Sequence, residues 1–201
     1  MANIRNLLAV PFLYRVFQDG VGARRFRSEL VARYIKPQRS DRIVDIGCGT
    51  ADIRFNLGDV DYFGFDPSVD YIETARAKHP GSTFHVGSVD HPPDLSSDFD
   101  IALAIGVLHH VEDREAVRLF ELARSLLRPG GKLVTADPVR IVGTNRLSNL
   151  IVGRDRGDHV RTGAEYLSLA EDAFPESVEG ETRTDLLRIP YQHFVMTCAG
   201  Y

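Results

Sequence analysis

The run Ile43-Val44-Asp45-Ile46-Gly47-Cys48-Gly49-Thr50 decides the fold. Its β-branched residues suit a parallel strand buried on both faces, and the chain passes from that strand through an aspartate into a G-x-G turn. A turn of this kind, free of Cβ atoms where it bends, lets the backbone lie against a ligand, so the stretch reads as a cofactor cradle. A dinucleotide-binding turn would continue as G-x-G-x-x-G, its third glycine admitting the next helix close to the strand. Asp52 stands in that third place, which disfavours nicotinamide or flavin and leaves the pattern D-x-G-x-G, from Asp45 to Gly49.

Working outward, a second apolar run, Asp61 to Phe65, ends in Asp66. The interval from Asp45 to Asp66 is close to the ~20 residues at which an acidic group meets the two hydroxyls of a ribose. Next come Thr83-Phe84-His85-Val86 and then Gly87-Ser88-Val89-Asp90. After them stands Phe99-Asp100-Ile101-Ala102-Leu103-Ala104-Ile105-Gly106-Val107-Leu108-His109-His110-Val111, and later Leu126-Leu127-Arg128-Pro129-Gly130-Gly131-Lys132-Leu133-Val134.

In that order and spacing, over residues 40 to 137, these motifs resemble the class I S-adenosylmethionine-dependent methyltransferases of the small-molecule type. The pattern D-x-G-x-G is similar to their first motif, FDxxxxxxVLHHV to their fourth and LLRPGGxLV to their fifth-strand motif. The resemblance implies S-adenosylmethionine as cofactor and S-adenosylhomocysteine as product. It implies a cofactor site made by Asp45, Gly47, Cys48, Gly49, Asp66, Pro67, Ser88, Val89, Asp90, Ala104 and Ile105. Helices near the N-terminus cover the cofactor in that family, and Tyr14, Phe17 and Gln18 stand where an aromatic lid would exclude water from the sulfonium. The motif N-P-P-Y is absent after the fourth strand, where Ile105-Gly106-Val107-Leu108 stands, so adenine-N6 and glutamine acceptors are disfavoured.

The rest of the chain predicts a single methyltransferase domain over 1–201, with N-terminal cap helices over 1–36 and a substrate-side lid over 137–162. Apolar spacing at Phe12, Val16 and Phe17, then at Val21, Phe26, Leu30, Val31 and Tyr34, predicts two N-terminal helices around Gly20 and Gly22. Strands at Arg42–Ile46, Tyr62–Phe65, Thr83–Val86, Ile101–Ile105 and Lys132–Ala136 alternate with helices near Val69–Lys78 and Ala116–Leu127, which builds a doubly wound, mostly parallel sheet. Two further strands, Ser177–Leu187 and His193–Cys198, are separated only by Arg188–Gln192, too short a connection for a parallel crossover, so they form an antiparallel hairpin. The expectation is an α/β, Rossmann-like fold with seven strands and its ligand at their carboxyl ends.

A formal net charge of -4 over 201 residues disfavours nucleic acid as a partner and favours small-molecule chemistry. Two cysteines make no disulfide framework and suit a reducing cytoplasm. The apolar run Leu7–Tyr14 contains Pro11 and lacks a cleavage site, so it reads as a helix rather than a targeting signal, and no run approaches the ~20 residues that span a bilayer. A metal site from His91, His109, His110 and His159 lacks ligand spacing and is not expected.

Methyl transfer needs an aligned nucleophile above all, and a base only where the acceptor must lose a proton. His109, His110 and His159 are the candidate catalytic residues. The segment Asp137–Arg161 is least like the family motifs and should choose the acceptor; Leu147, Leu150 and Ile151 have helical spacing within it. It carries Arg140, Arg146, Arg154, Arg156 and Arg161 and no lysine, which suits bidentate recognition of a small anionic metabolite. Asp137, Arg140, Arg154, Arg161 and Tyr191 are therefore the substrate-side candidates. The competing arrangement pairs those arginines with Asp155 and Asp158. The competing function is a binding partner or cyclase that has kept the fold without methyl transfer.

Overall fold

A computed structural model of the chain describes residues 22–141, 158–175, 177–187 and 192–199. The first N-terminal helix, the helix expected around Leu147–Ile151, and Tyr14, Phe17, Gln18, Arg146, Arg154, Arg156 and Tyr191 lie outside the described residues. Seven strands form one sheet in the order β3-β2-β1-β4-β5-β7-β6. They are β1 (Arg42–Ile46), β2 (Asp61–Asp66), β3 (Thr83–Val86), β4 (Phe99–Ile105), β5 (Leu127–Pro138), β6 (Val178–Arg183) and β7 (His193–Ala199). The first five are parallel, while β7 runs antiparallel between β5 and β6. The strand order reverses between β1 and β4, so the loops that follow those two strands diverge and leave a crevice at their carboxyl ends.

Two apolar layers close the sheet. On one face α3 (Asp113–Leu126) and α4 (Gly163–Ala170) pack Ala116, Leu119, Phe120 and Tyr166 against Val44, Ala102 and Leu133. On the other, α1 (Ala23–Leu30), a π-helical turn at Val31–Ile35, a 3-10 segment at Asp52–Asn56 and α2 (Val69–Lys78) pack Leu30, Ile53 and Ile72 against Ile43, Leu103 and Val134. The β1 pattern explains itself here: four of its five residues are buried, because a parallel strand is covered on both faces.

Helix α4 departs from the sequence expectation, which had no helix at Gly163–Ala170. Its signal is a capping box, in which the Thr162 hydroxyl accepts from the Glu165 amide and the Glu165 carboxylate accepts from the Thr162 amide. The expected hairpin strand is also shorter, since β6 ends at Arg183 rather than Leu187. Arg183 turns its guanidinium onto both carboxylate oxygens of Asp185, at 2.9 Å each, and that bend ends the ladder. Strand β5 begins at Leu127, before the expected Lys132, with Arg128–Gly131 bulging out where the β4 pairing shifts register. Within that bulge a Cβ on Gly131 would lie 2.9 Å from the Phe99 carbonyl oxygen, 3.0 Å from that of Arg128 and 3.1 Å from that of Asp100. Backbone atoms cannot step aside as a side-chain tip can, so Gly131→Ala is expected to destabilise the fold by about 1–3 kcal/mol. Chemical denaturation with an unchanged midpoint would contradict this.

Candidate active site

The glycine turn sits at the carboxyl end of β1, between the ends of β2 and β4. Its amides are engaged within the protein: Gly47 and Cys48 N–H both donate to the Phe65 carbonyl, at 2.9 and 3.0 Å, and Gly49 N–H donates to Asp66 Oδ2 at 3.0 Å. With these three amides spent, the turn offers close approach of its backbone rather than an amide nest for an anion. Both glycines have left-handed φ, +70° at Gly47 and +54° at Gly49. A Cβ at Gly47 would lie 2.8 Å from Val107, the residue two beyond β4, so this glycine lets the first and fourth motifs touch. A Cβ at Gly49 would meet no protein atom within 4 Å, so the space beside it is open.

Two carboxylates flank the turn. Asp66 is 8% exposed, and its oxygens accept from Gly49 N–H and, at 2.9 Å, from Ser68 N–H. A carboxylate has about four lone-pair sites, so two amides aim it and leave capacity for a pair of hydroxyls. Asp45 is 2% exposed; its Oδ2 accepts from the Tyr62 hydroxyl at 2.5 Å, and its Oδ1 is buried with no protein partner. Burial pushes the Asp45 carboxyl up to about 7, the Tyr62 hydrogen bond works against that, and the neighbouring charge of Asp66 adds to it. Tyr62 was not among the sequence candidates. The β1–β2 register, which sets Ile43 opposite Tyr62, is what brings it within reach of Asp45.

An orphaned buried acceptor, an aimed carboxylate and an open space over a glycine fit S-adenosylmethionine, whose ammonium and ribose hydroxyls are donors. The other residues of the implied cofactor site are arranged less simply. Asp90 is paired with Arg118 of α3 at 2.7 Å, Ser88 N–H donates to the His91 carbonyl at 3.2 Å, and Val89 packs on the core. Pro67 is exposed at the end of β2, Ala104 is buried in β4 and Ile105 is half-buried. Cys48 is a free thiol whose pKa is raised by burial and by the nearby Asp45 and Asp66, so it is a packing group rather than a nucleophile.

Beside this pocket the ends of β4, β5 and β7 bring three polar side chains together. His109, on a 3-10 turn at Leu108–His110, sets Nδ1 2.8 Å from Asp137 Oδ1, and its own backbone N–H reaches the same oxygen at 3.2 Å. A carboxylate only accepts, so the tautomer that suits this contact is the one with its proton on Nδ1, which would leave the Nε2 lone pair to act. Asp137 Oδ2 is buried without a protein partner. His193 opens β7, and burial first, with the repulsion that a protonated His109 would exert second, lowers its pKa to about 4. It is neutral at physiological pH, and its ring lies 4.7 Å from that of Phe26 on α1. No local motif marks His193, because only the antiparallel register places it opposite Pro138. His110 is exposed and its ring lies 3.9 Å from that of His109. His159 contributes its backbone, donating from N–H to the His109 carbonyl at 3.1 Å.

The substrate-side candidates separate. Asp137 holds His109. Arg140 stands half-exposed at the rim, 3.1 Å from Glu165. Arg161 is 6% exposed and turned inward, with every guanidinium N–H donating to Asp113 or to the carbonyls of Leu108, Val111 and His159. With no donor left over, it has nothing to offer a substrate anion.

Comparison with known proteins agrees with this geometry. Residues 43–131 match the family described as a methyltransferase domain. Phosphoethanolamine N-methyltransferase 1 of Triticum aestivum is 26% identical over 181 residues, covering 85% of this chain and 36% of that protein. The tRNA U34 carboxymethyltransferase of Idiomarina loihiensis is 30% identical over 137 residues, covering 62% of this chain and 41% of that protein. The chain thus spans well under half the length of these curated relatives. A solved SAM-dependent methyltransferase from Methanosarcina mazei shares the fold, with a TM-score of 0.65 at 20% identity over 81% of this chain and 93% of that one. Residues 43–131 thus match a methyltransferase domain, and the chain has the Rossmann-like fold of the S-adenosylmethionine-dependent methyltransferases, which implies S-adenosylmethionine as cofactor.

Proposed function

We propose that this protein transfers a methyl group from S-adenosylmethionine to an oxygen or nitrogen of a small molecule, as a single domain over 1–201 with cap helices over 1–36 and a lid over 137–162. The observation that carries the reading is the buried His109–Asp137 pair, set at the carboxyl ends of β4 and β5 beside the glycine turn. Bound cofactor supplies an activated methyl group on a sulfonium. The chain's own part is to hold the cofactor with Asp45 and Asp66, to exclude water, and to receive the acceptor's proton at His109 Nε2 while Asp137 orients the ring.

Arg140, at the rim and half-exposed, is the remaining described arginine that supports an anionic acceptor. That reading is in keeping with a relative named for phosphoethanolamine. The formal net charge of -4 supports a small acceptor over tRNA. Free thiols at Cys48 and Cys198 suit a reducing compartment such as the cytoplasm.

The test begins with calorimetric titration of S-adenosylmethionine and S-adenosylhomocysteine. S-adenosylhomocysteine release is then followed over small acids, phenols, amines and bulk tRNA. Turnover on small molecules supports the proposal; turnover on tRNA alone overturns the acceptor class, and binding without turnover overturns methyl transfer. With a hydroxyl acceptor, His109→Gln is expected to lower kcat by about 10²–10⁴-fold and to leave cofactor affinity within about threefold, as general-base loss does. An unchanged kcat would remove His109 from the reaction.

A further inference from the structure

Arg161 is a buried cation that the reaction does not use. Its Nε and Nη2 donate to Asp113 Oδ1 at 2.9 and 2.7 Å, Nη1 donates to the Leu108 carbonyl at 2.6 Å and to that of His159 at 3.1 Å, and Nη2 also donates to the Val111 carbonyl at 2.8 Å. The Leu108 and Val111 carbonyls lie on either side of His109 and His110, so a single guanidinium grips the 3-10 turn at both ends. The strand-like bridge from Val139 to Arg161, and the Arg140 N–H that donates to the Arg161 carbonyl at 2.8 Å, root the same residue beside the end of β5, where Asp137 stands. From the neighbouring segment, His159 N–H completes the frame by donating to the His109 carbonyl.

We propose that Arg161 is a positioning residue: it locks the turn that carries His109 in the register that lets the imidazole meet Asp137. The planar fork makes this possible, since it serves three carbonyls and a carboxylate at fixed angles, whereas a lysine ammonium has three donors and no such plane. Asp113 balances the charge from the first turn of α3, where its carboxylate also suits the helix dipole. Reading Arg161 as part of a catalytic frame rests on His109 being the base. The placement of the imidazole, however, is measurable without any turnover.

The experiment records the imidazole nitrogen and carbon resonances of His109 in cofactor-free wild type, Arg161→Lys and Asp113→Asn, with calorimetric S-adenosylmethionine affinity as the control. In wild type a single Nδ1-protonated tautomer is expected. Arg161→Lys should shift or broaden the His109 signals into mixed tautomers and leave cofactor Kd within about threefold. With a hydroxyl acceptor it should lower kcat at least tenfold at unchanged acceptor KM. Asp113→Asn keeps the carbonyl contacts and should move the same signals by less, which preserves the test if Arg161→Lys does not fold. His109 resonances that stay in place in both variants overturn the proposal, as does a raised KM at unchanged kcat, which would mean that Arg161 holds the acceptor. Failure of the base reading is separate: His109→Gln would then keep its turnover while the His109 resonances still respond to Arg161→Lys.

Discussion

Asp66→Ala is expected to weaken S-adenosylmethionine binding by about 10²-fold. The carboxylate ends β2 with its two oxygens already aimed by Gly49 N–H and Ser68 N–H, which leaves it acceptor capacity for a pair of ligand hydroxyls. Two hydroxyl contacts to a carboxylate at about 1.5 kcal/mol each, at 1.4 kcal/mol per tenfold, amount to that factor. Alanine also frees the Gly49 amide, so the glycine turn loses the partner that fixes its third residue. Asp66→Asn keeps one acceptor oxygen but sets an NH2 group against an amide donor; its loss should be smaller, roughly tenfold. Calorimetric titration with S-adenosylmethionine and S-adenosylhomocysteine should show the same ranking for both ligands. Affinity within threefold of wild type in the alanine variant would place the ribose elsewhere.

The second large effect belongs to Asp45 and depends on pH. Burial, opposed by Tyr62 and reinforced by Asp66, raises its carboxyl from the ordinary value of 3.8 to about 7. Because the folded value lies above the unfolded one, the stability this group contributes is complete below the unfolded value, near pH 4, and is lost as pH rises through about 7. At 1.36 kcal/mol for each pH unit, the loss is on the order of 4 kcal/mol for a wholly buried group. In the cofactor-free protein Asp45→Asn should remove this dependence, since an asparagine oxygen still accepts from Tyr62 and carries no charge to desolvate. The unfolding free energy of wild type minus that of Asp45→Asn should therefore fall between pH 5 and pH 8, and a flat difference would refute the account. Cofactor reverses the balance. A cationic ligand favours the ionised carboxylate, so S-adenosylmethionine affinity should climb with pH through about 7 with release of a proton, and Asp45→Asn should abolish both. Calorimetry in buffers of differing ionisation enthalpy reads that proton directly.

Much of this molecule is legible in its residues. The bounds of β1, β3 and α2 are legible in Arg42–Ile46, Thr83–Val86 and Val69–Lys78: β1, covered on both faces, is mostly apolar, β3 at the sheet edge buries Phe84 between more exposed neighbours, and the segment between parallel strands must cross the sheet, here as a helix. The glycine turn is legible for the same local reason: a left-handed φ and a close approach to Val107 leave glycine as the residue that fits at position 47. Helix α4 had a signal too, the Thr162–Glu165 capping box, which is plain once the spacing T-x-x-E is sought.

The arginines show where local reading stops. Arg140 and Arg161 look equivalent in a segment rich in arginine, yet one lies half-exposed at the rim and the other is buried with its donors spent on three carbonyls and a carboxylate. Tyr62 and His193 are similar: their roles depend on which strand lies opposite, and pairing register has no local code apart from the burial pattern it must satisfy. The alternation of strands and helices, the glycine turn and the cofactor family it resembles are written in local residues, since they follow from backbone sterics and apolar period, which act within a few residues. Only the tertiary structure decided which imidazole meets a carboxylate, which aspartate is buried with an unspent oxygen and which arginine faces inward. Hydrogen bonds and desolvation act between groups that are distant in the chain and meet only when the strands are in register.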